Sequence, residues 1–252
     1  MLSTAELERA LGAAGLAAPV RWDEVTGSTN ETALAMAEGG APEWTLVAAG
    51  HQTRGRGRLG RTWVDRPGRA LLFSVILRPS GLAPGRAGLL PLAAGAAMAA
   101  AAREVTGADV GCKWPNDLLV DERKVGGILA ESSVVQGAIR HVVVGIGVNI
   151  EAPDNVPDAG GLEGADPASL LTGFLRRFAD LYDPSSQSFP AAVIRAYTEV
   201  SATLGREVEA TRVDGERVRG RARGMDDTGA LIVGTDRGVE TVAFGEVAHL
   251  IP

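Results

Sequence analysis

Lysine is almost absent from this chain: of 25 basic residues in 252, only Lys113 and Lys124 are lysine. Asparagine is nearly as scarce, with Asn30, Asn116, Asn149 and Asn155 the whole set. The single cysteine, Cys112, excludes an internal disulfide and fits a reducing cytoplasm. His51, His141 and His249 are scattered without ligand spacing, which argues against a protein-bound structural metal. The N-terminal MLSTAELERALGAAG carries acidic residues where a signal peptide carries basic ones. The most apolar run, Leu89 to Ala102, is shorter than the roughly 20 residues that span a bilayer. Basic residues are outnumbered by 31 acidic ones, and the net charge of −6 speaks against nucleic acid as partner of the whole surface.

What is present is a core former, with 45% hydrophobic residues, 33 glycines and 13 prolines, which excludes a disordered, collagenous or disulfide-stapled chain. The preference for arginine reads as a GC-rich coding bias that thins lysine and asparagine wherever chemistry permits. A lysine or asparagine that survives it marks a position needing that side chain's own geometry.

Ser3-x-x-Glu6 is a capping box, predicting a helix over 4–14 closed by Gly15. Further helices are expected at 30–38, 86–105, 167–182 and 189–203. Strands are expected at 21–25, 44–49, 70–77, 110–114, 117–120, 124–131 and 139–150, with a turn at Asp121-Glu122. After Gly205, short alternating strands separated by glycine turns suggest a small barrel. The RVRGRARG tract at 217–224 alternates as a half-exposed strand does. The expected organisation is an α+β main domain over 1–204 and a small C-terminal β domain over 205–252.

The segment from His51 to Trp63 carries Arg54, Arg56, Arg58 and Arg61 among Gly55, Gly57 and Gly60. The glycines match G-x-G-x-x-G, but no helix opens behind them, so the dinucleotide reading fails, and no P-loop pattern occurs. Two readings stay open: a mobile cationic loop that folds over an anion with bidentate guanidinium forks, or a solvated basic tract of RNA-binding type. Like charges this close are expected to keep the loop mobile until an anion arrives. Lys113, in Cys-Lys-Trp-Pro-Asn-Asp, ends a strand that Pro115 interrupts. Strand alternation sends Cys112 and Lys113 to opposite faces, so they are not a thiol–base pair; Cys112 is expected in the core. A half-buried lysine is a compact charge that can bridge two anions where planar arginine cannot. Trp114 is expected in the core.

Together, Gly27-Ser-Thr-Asn30, Gln52 with Gly55-Arg-Gly-Arg-Leu-Gly-Arg-Thr-Trp63, Lys113-Trp-Pro-Asn-Asp117, Lys124-Val-Gly-Gly-Ile-Leu and Val144-Gly-Ile-Gly-Val-Asn149 resemble the biotin protein ligases, in the family's order. The resemblance implies a mixed β-sheet catalytic domain flanked by helices, the class II synthetase-like biotin/lipoate ligase fold, plus a small C-terminal SH3-like β-barrel. It implies ATP-dependent biotinylation of a lysine on a biotin carboxyl carrier domain through biotinyl-5′-AMP, with Mg2+ as cofactor and its protein ligands unknown. By family position, Lys113 and Arg58 are catalytic. Ser28, Thr29, Asn30, Gln52, Arg56, Gly57, Arg58 and Lys113 would hold biotin; Gly55, Arg58, Arg61, Trp63, Asn116, Lys124 and Asn149 would hold ATP or the adenylate, with Asp117 a further contact. Ser28-Thr29-Asn30 also reads as a helix N-cap, and Gly145 and Gly147 as room for close backbone packing. Some members carry an N-terminal DNA-binding domain; with 26 residues before Gly27, a monofunctional ligase is expected, with neither DNA nor membrane as partner, as a monomer or weak homodimer. Leu59 stands where members often carry a basic or polar residue. A lipoate or octanoate ligase shares the fold class and is the alternative enzyme.

Overall fold

The computed structural model describes residues 2–154, 156–243 and 245–250. The first helix, α1 (Thr4–Ala13), begins as its capping box dictates: the Ser3 hydroxyl accepts from the Glu6 N–H and donates to the Glu6 carboxylate at 2.9 Å. Strand β1 (Val20–Asp23) runs parallel to β2 (Leu46–Ala49), with α2 (Thr29–Glu38) as the crossover. The sheet is completed by β3 (Ala70–Leu77), β4 (Gly111–Lys113), β5 (Asp117–Val120), β6 (Arg123–Val135) and β7 (Ala138–Asn149). Its order is β1-β2-β3-β7-β6-β5-β4, and every pair but the first is antiparallel. The β5–β6 turn puts both Asp121 and Glu122 at positive φ, 48° and 62°, the backbone of a two-residue hairpin.

The two faces of this sheet are built differently, and that difference makes the site. Leu71, Phe73, Val75 and Leu77 of β3 and Val142, Val144, Ile146 and Val148 of β7 pack in one cluster with α1, α3 (Leu89–Thr106), α4 (Pro167–Leu181) and α5 (Phe189–Glu199). The alternate residues face the other way, where a small cluster of Val47, Ile76 and Val143 packs on Ala33 and Ala37 of α2. Further along, that face carries Ser74, Gly145, Gly147 and Gly127, too small to support a helix layer, and there it stays open to a cavity.

Helix α3 corrects the expectation drawn from its apolar run. The helical stretch Pro84–Thr106, of which α3 is the main part, is long and apolar enough to cross a membrane by length and composition, one such stretch among the described residues, yet it is mostly buried, with α3 packed against α4 and α5. Cys112 sits in this core as expected, 1% exposed, with Sγ pressed towards Gly95 of α3. Burial pushes its thiol up to about 12, with Arg103 opposing. Cys112 is therefore expected not to react with a thiol reagent at pH 8 until the protein unfolds, which a timed Ellman titration with and without denaturant checks.

A second, antiparallel sheet follows, of β8 (Glu207–Arg212), β9 (Arg217–Met225), β10 (Leu231–Thr235), β11 (Gly238–Val242) and β12 (Gly245–His249), in the order β11-β10-β9-β8-β12. Phe244, between the last two strands, lies outside the described residues. In β9 exposed Arg217 and Arg219 pair with Glu209, so the RVRGRARG tract is the half-exposed strand its alternation suggests. This sheet shares the large apolar cluster: Val208, Ala210, Leu231 and Val233 belong to it. The indole N–H of Trp114, buried as expected, reaches across to the Gly229 carbonyl at 3.0 Å.

Candidate active site

The cavity on the open sheet face has a volume of about 270 Å³. Its wall is assembled from the start of α2, the 52–63 loop, the β4–β5 connection, β6, β7 and the last strand, β12. Ser28, Thr29, Asn30, Gln52, Arg56, Gly57, Arg58, Arg61, Trp63, Lys113, Asn116, Asp117 and Lys124, all named from the sequence, line it together.

At one end, hydrogen bonds fix the polar groups in a definite polarity. Gln52 Oε1 accepts from the Thr29 N–H at 2.8 Å and lies 3.1 Å from the Thr29 hydroxyl, so its NH2 is left to donate elsewhere. Ser74, wholly buried on β3, donates to Asn30 Oδ1 at 2.6 Å, and Thr29 Oγ1 lies 2.8 Å from the Ser74 hydroxyl. Asn30 Nδ2 donates to the Leu129 carbonyl at 3.2 Å and to Glu131 Oε2 at 2.9 Å. Asn30 thus lines the cavity, but its amide is committed to tying α2 to β3 and β6. The N-cap expectation needs correction too: Ser28 caps α2 by position, yet its side chain makes no capping bond. That leaves its hydroxyl available to a ligand.

The arginine loop, whose like charges predict mobility until an anion arrives, is held in this structure by carboxylates and carbonyls from elsewhere in the fold. It folds as a small hairpin, with the Gly57 N–H on the Arg61 carbonyl at 2.7 Å and the Trp63 N–H on the Gly55 carbonyl at 3.0 Å. Each arginine has its own partner from a different element. Arg54 pairs with Glu31 of α2 at 3.3 Å, Arg56 with Glu131 of β6 at 2.6 Å, and Arg61 with Glu246 of β12 at 2.6 Å. Arg58 meets only neutral acceptors, Asn116 Oδ1 at 3.0 Å and the Gly245 carbonyl at 3.2 Å. Burial lowers its guanidinium pKa, Glu246 and Asp117 raise it, and Arg61 lowers it. Solvent-exposed pairs of this kind contribute about 0–1 kcal/mol each, so a ligand's oxygens can displace the carboxylates. Leu59, at the hairpin tip, is exposed and in the left-handed region at φ 53°.

Charge on the cavity wall divides into spoken-for and free. Lys124 pairs with Asp117 at 2.6 Å, and Arg56 and Arg61 are paired as above. Among the described residues, Lys113 and Arg58 are the lining cations that form no ion pair with a carboxylate. Lys113 reaches the cavity because Cys112 turns into the core.

Three glycines act as floor. A Cβ on Gly147 would stand 2.7 Å from the Trp63 ring, and one on Gly127 would stand 3.4 Å from it. A Cβ on Gly145 would stand 1.9 Å from Asn30 Oδ1. Their role is therefore close approach of side chains to the strand, not only of backbones.

Two of the expected contacts stand behind the wall. Gly55 is buried, and a Cβ there would meet the Trp63 carbonyl at 2.5 Å, so it lets the two stems of the loop touch. Asn149 shares the face of Gly147 but lies under the 158–162 segment, where its Nδ2 donates to the Gly160 carbonyl at 3.1 Å. Its Oδ1 and Trp63 Nε1 are buried without a partner. Sequence reasoning missed the carboxylates Glu31, Glu131 and Glu246 and the buried Asp65, because each acts on a residue far away along the chain.

The biotin/lipoate A/B protein ligase family matches over residues 22–149, and the biotin protein ligase C-terminal domain over 203–250. The biotin–[acetyl-CoA-carboxylase] ligase of Paracoccus denitrificans is 37% identical, over 88% of this chain and 97% of its own. A bifunctional ligase/repressor of Bacillus subtilis is 30% identical, over 98% of this chain and 78% of its own. The biotin protein ligase of Aquifex aeolicus, solved in complex with biotin and ATP, superposes with a TM-score of 0.74 at 27% identity, covering 91% of this chain and 97% of that one. With half the chain matched by the family and such relatives aligned along most of it, this chain belongs to the biotin/lipoate A/B protein ligase family.

Proposed function

We propose that this chain is a biotin ligase that couples biotin to a lysine of a biotin carboxyl carrier domain through biotinyl-5′-AMP. The observation that carries the reading is the pair of unpaired cations, Lys113 and Arg58, on a cavity wall whose other positive groups are already neutralised. Joining a carboxylate to a triphosphate brings two anions together, and preorganised positive charge is what that step needs. Lys113 bridges the biotin carboxylate and the α-phosphate as the carboxylate oxygen bonds to phosphorus and pyrophosphate leaves. The amine of the acceptor lysine then bonds to the acyl carbon of the anhydride, AMP leaves, and the amine proton is released. Ser28 and Gln52 offer hydrogen bonds at the far end of the cavity, suited to the polar ring of biotin. Trp63 Nε1 and Asn149 Oδ1, a buried donor and a buried acceptor without partners, lie along one face of β7 and suit a purine edge.

The cavity is just under the roughly 300–1,000 Å³ of typical small-molecule sites, so the arginine loop moves outward to admit the nucleotide and trades carboxylates for phosphate oxygens as it returns. Closure excludes water from the anhydride. Mg2+ would arrive with ATP, whose phosphates supply most of its ligands, and Asp117 and Glu246 are the cavity-lining carboxylates that would help hold it. The net charge of −6 and the ion pairs along β9 support a reading without DNA binding by this chain, and the single buried cysteine supports a cytoplasmic location.

The test is transfer of labelled biotin to an apo carrier domain, with and without ATP, alongside pyrophosphate exchange supported by biotin or by lipoate. Label transfer that needs ATP, and exchange with biotin, are the expected results. Exchange supported by lipoate alone overturns the reading in favour of the related ligase.

A further inference from the structure

The arginine loop leaves the fold at Gly50 and rejoins it at Gly68, and its two stems are joined at three levels. At the base the Gly68 N–H donates to the Gly50 carbonyl at 3.0 Å, and near the hairpin the Trp63 N–H donates to the Gly55 carbonyl at 3.0 Å. Between these rungs, the cross-stem hydrogen bonds among the described residues come from one side chain, Asp65. Its Oδ2 lies 2.8 Å from His51 Nδ1, and its Oδ1 accepts from the Gln52 N–H at 3.3 Å. The Asp65 side chain is 0% exposed, while that of His51 is 29% exposed. A carboxylate is taken out of water at such a place only where its partners compensate for the lost hydration.

The residue it holds is a ligand-facing one. Gln52 sits on the cavity wall with its amide oxygen on Thr29, and from there hydrogen bonds run through Ser74 and Asn30 to Glu131, which grips Arg56 of the same loop. The chain of contacts thus leaves the loop at Asp65 and returns to it at Arg56. We infer that Asp65 is a positioning residue: its buried carboxylate clasps the stems, sets Gln52 in the orientation that receives biotin, and keeps the arginine hairpin folded. This rests on the biotin-ligase reading for the ligand named, whereas the clasp itself rests on geometry alone.

The test uses the full chain carrying D65A, D65N or H51A. Biotin-dependent pyrophosphate exchange is measured alongside the rate of tryptic cleavage after Arg54, Arg56, Arg58 and Arg61 without ligands. D65A is expected to raise KM for biotin about tenfold, to leave kcat within about twofold, and to speed loop cleavage about tenfold, as loss of a charge-assisted hydrogen-bond pair implies. D65N restores both values towards wild type, because its oxygen still accepts from Gln52 and its NH2 donates to an unprotonated His51 Nδ1. H51A, which keeps the bond to Gln52, speeds cleavage but leaves KM for biotin near wild type. Wild-type KM and cleavage in D65A overturn the inference. So does a loss of kcat at unchanged KM, the mark of a carboxylate that only stabilises the fold, and so does D65N as impaired as D65A. Should D65A not fold, H51A decides: faster loop cleavage supports the clasp, and a wild-type rate overturns it. Cleavage needs no turnover, so if the unmodified chain exchanges nothing with biotin, the functional reading falls while the clasp is still tested.

Discussion

Lys113→Arg is expected to slow biotinyl-adenylate formation by roughly 10²–10³-fold while leaving thermal stability unchanged. The substitution keeps the charge, so long-range attraction of anions survives. What it removes is a compact ammonium with three N–H donors, replaced by a longer planar fork. At the end of β4, with the core-facing Cys112 fixing the strand's rotation, the backbone cannot retreat to make room for the fork. Arg58 cannot take over, because its guanidinium is held by Asn116 and by the Gly245 carbonyl. Single-turnover formation of adenylate, measured at saturating biotin and ATP, isolates the step. A rate within a few-fold of wild type means that any cation suffices there, and the bridging role is lost with it.

Gly145→Ala is expected to remove biotin binding and to lower the melting midpoint by about 5–15 °C. The added methyl would lie 1.9 Å from Asn30 Oδ1 and 2.7 Å from its Cγ, so Asn30 must leave. Its departure strips partners from the Ser74 hydroxyl, the Leu129 carbonyl and Glu131 together. Each buried polar group left unpaired costs about 1–3 kcal/mol, which sets the size of the effect. Gly147→Ala presses on the Trp63 ring, which can swing outward with its loop, and is the milder variant. Thermal melts and biotin titration of the two variants provide the check. A Gly145→Ala protein with native stability and affinity would show that α2 does not depend on the Asn30 contacts.

The sequence read well where the signal was local. The Ser3 capping box, the Asp121-Glu122 turn and the apolar run of β3 produce their elements because the residues concerned touch their near neighbours. Boundaries slipped where distant contacts decide. Helix α5 stops at Glu199, before the expected 203, because the Val200 carbonyl and Ala202 N–H are drawn into hydrogen bonds with Cys112 of β4. Strand β6 runs on to Val135 because Ser132 to Val135 pair with the start of β7 in a hairpin that turns at Gln136-Gly137.

In the site the same division holds. Scarcity of lysine and asparagine pointed to Lys113, Lys124, Asn30 and Asn116, all four of which line the cavity. It could not show that Asn30 also ties α2 to β3 and β6, or that Asn149 also holds the 158–162 segment. The loop's ion pairs were not legible for a related reason. Its arginines are dense along the chain, but the carboxylates that neutralise Arg56 and Arg61 come from Glu131 and Glu246, whose proximity only the fold creates.

Gly245 and Glu246 belong to β12, the strand furthest along the chain. A ribosome that has delivered the seven-stranded sheet has therefore made every other wall of the cavity, but not the anchors that Arg58 and Arg61 use. A nascent chain at that stage holds Arg58 through Asn116 alone and leaves Arg61 without Glu246. The arginine loop is therefore tied across the cavity to the second sheet only once β12 has been made.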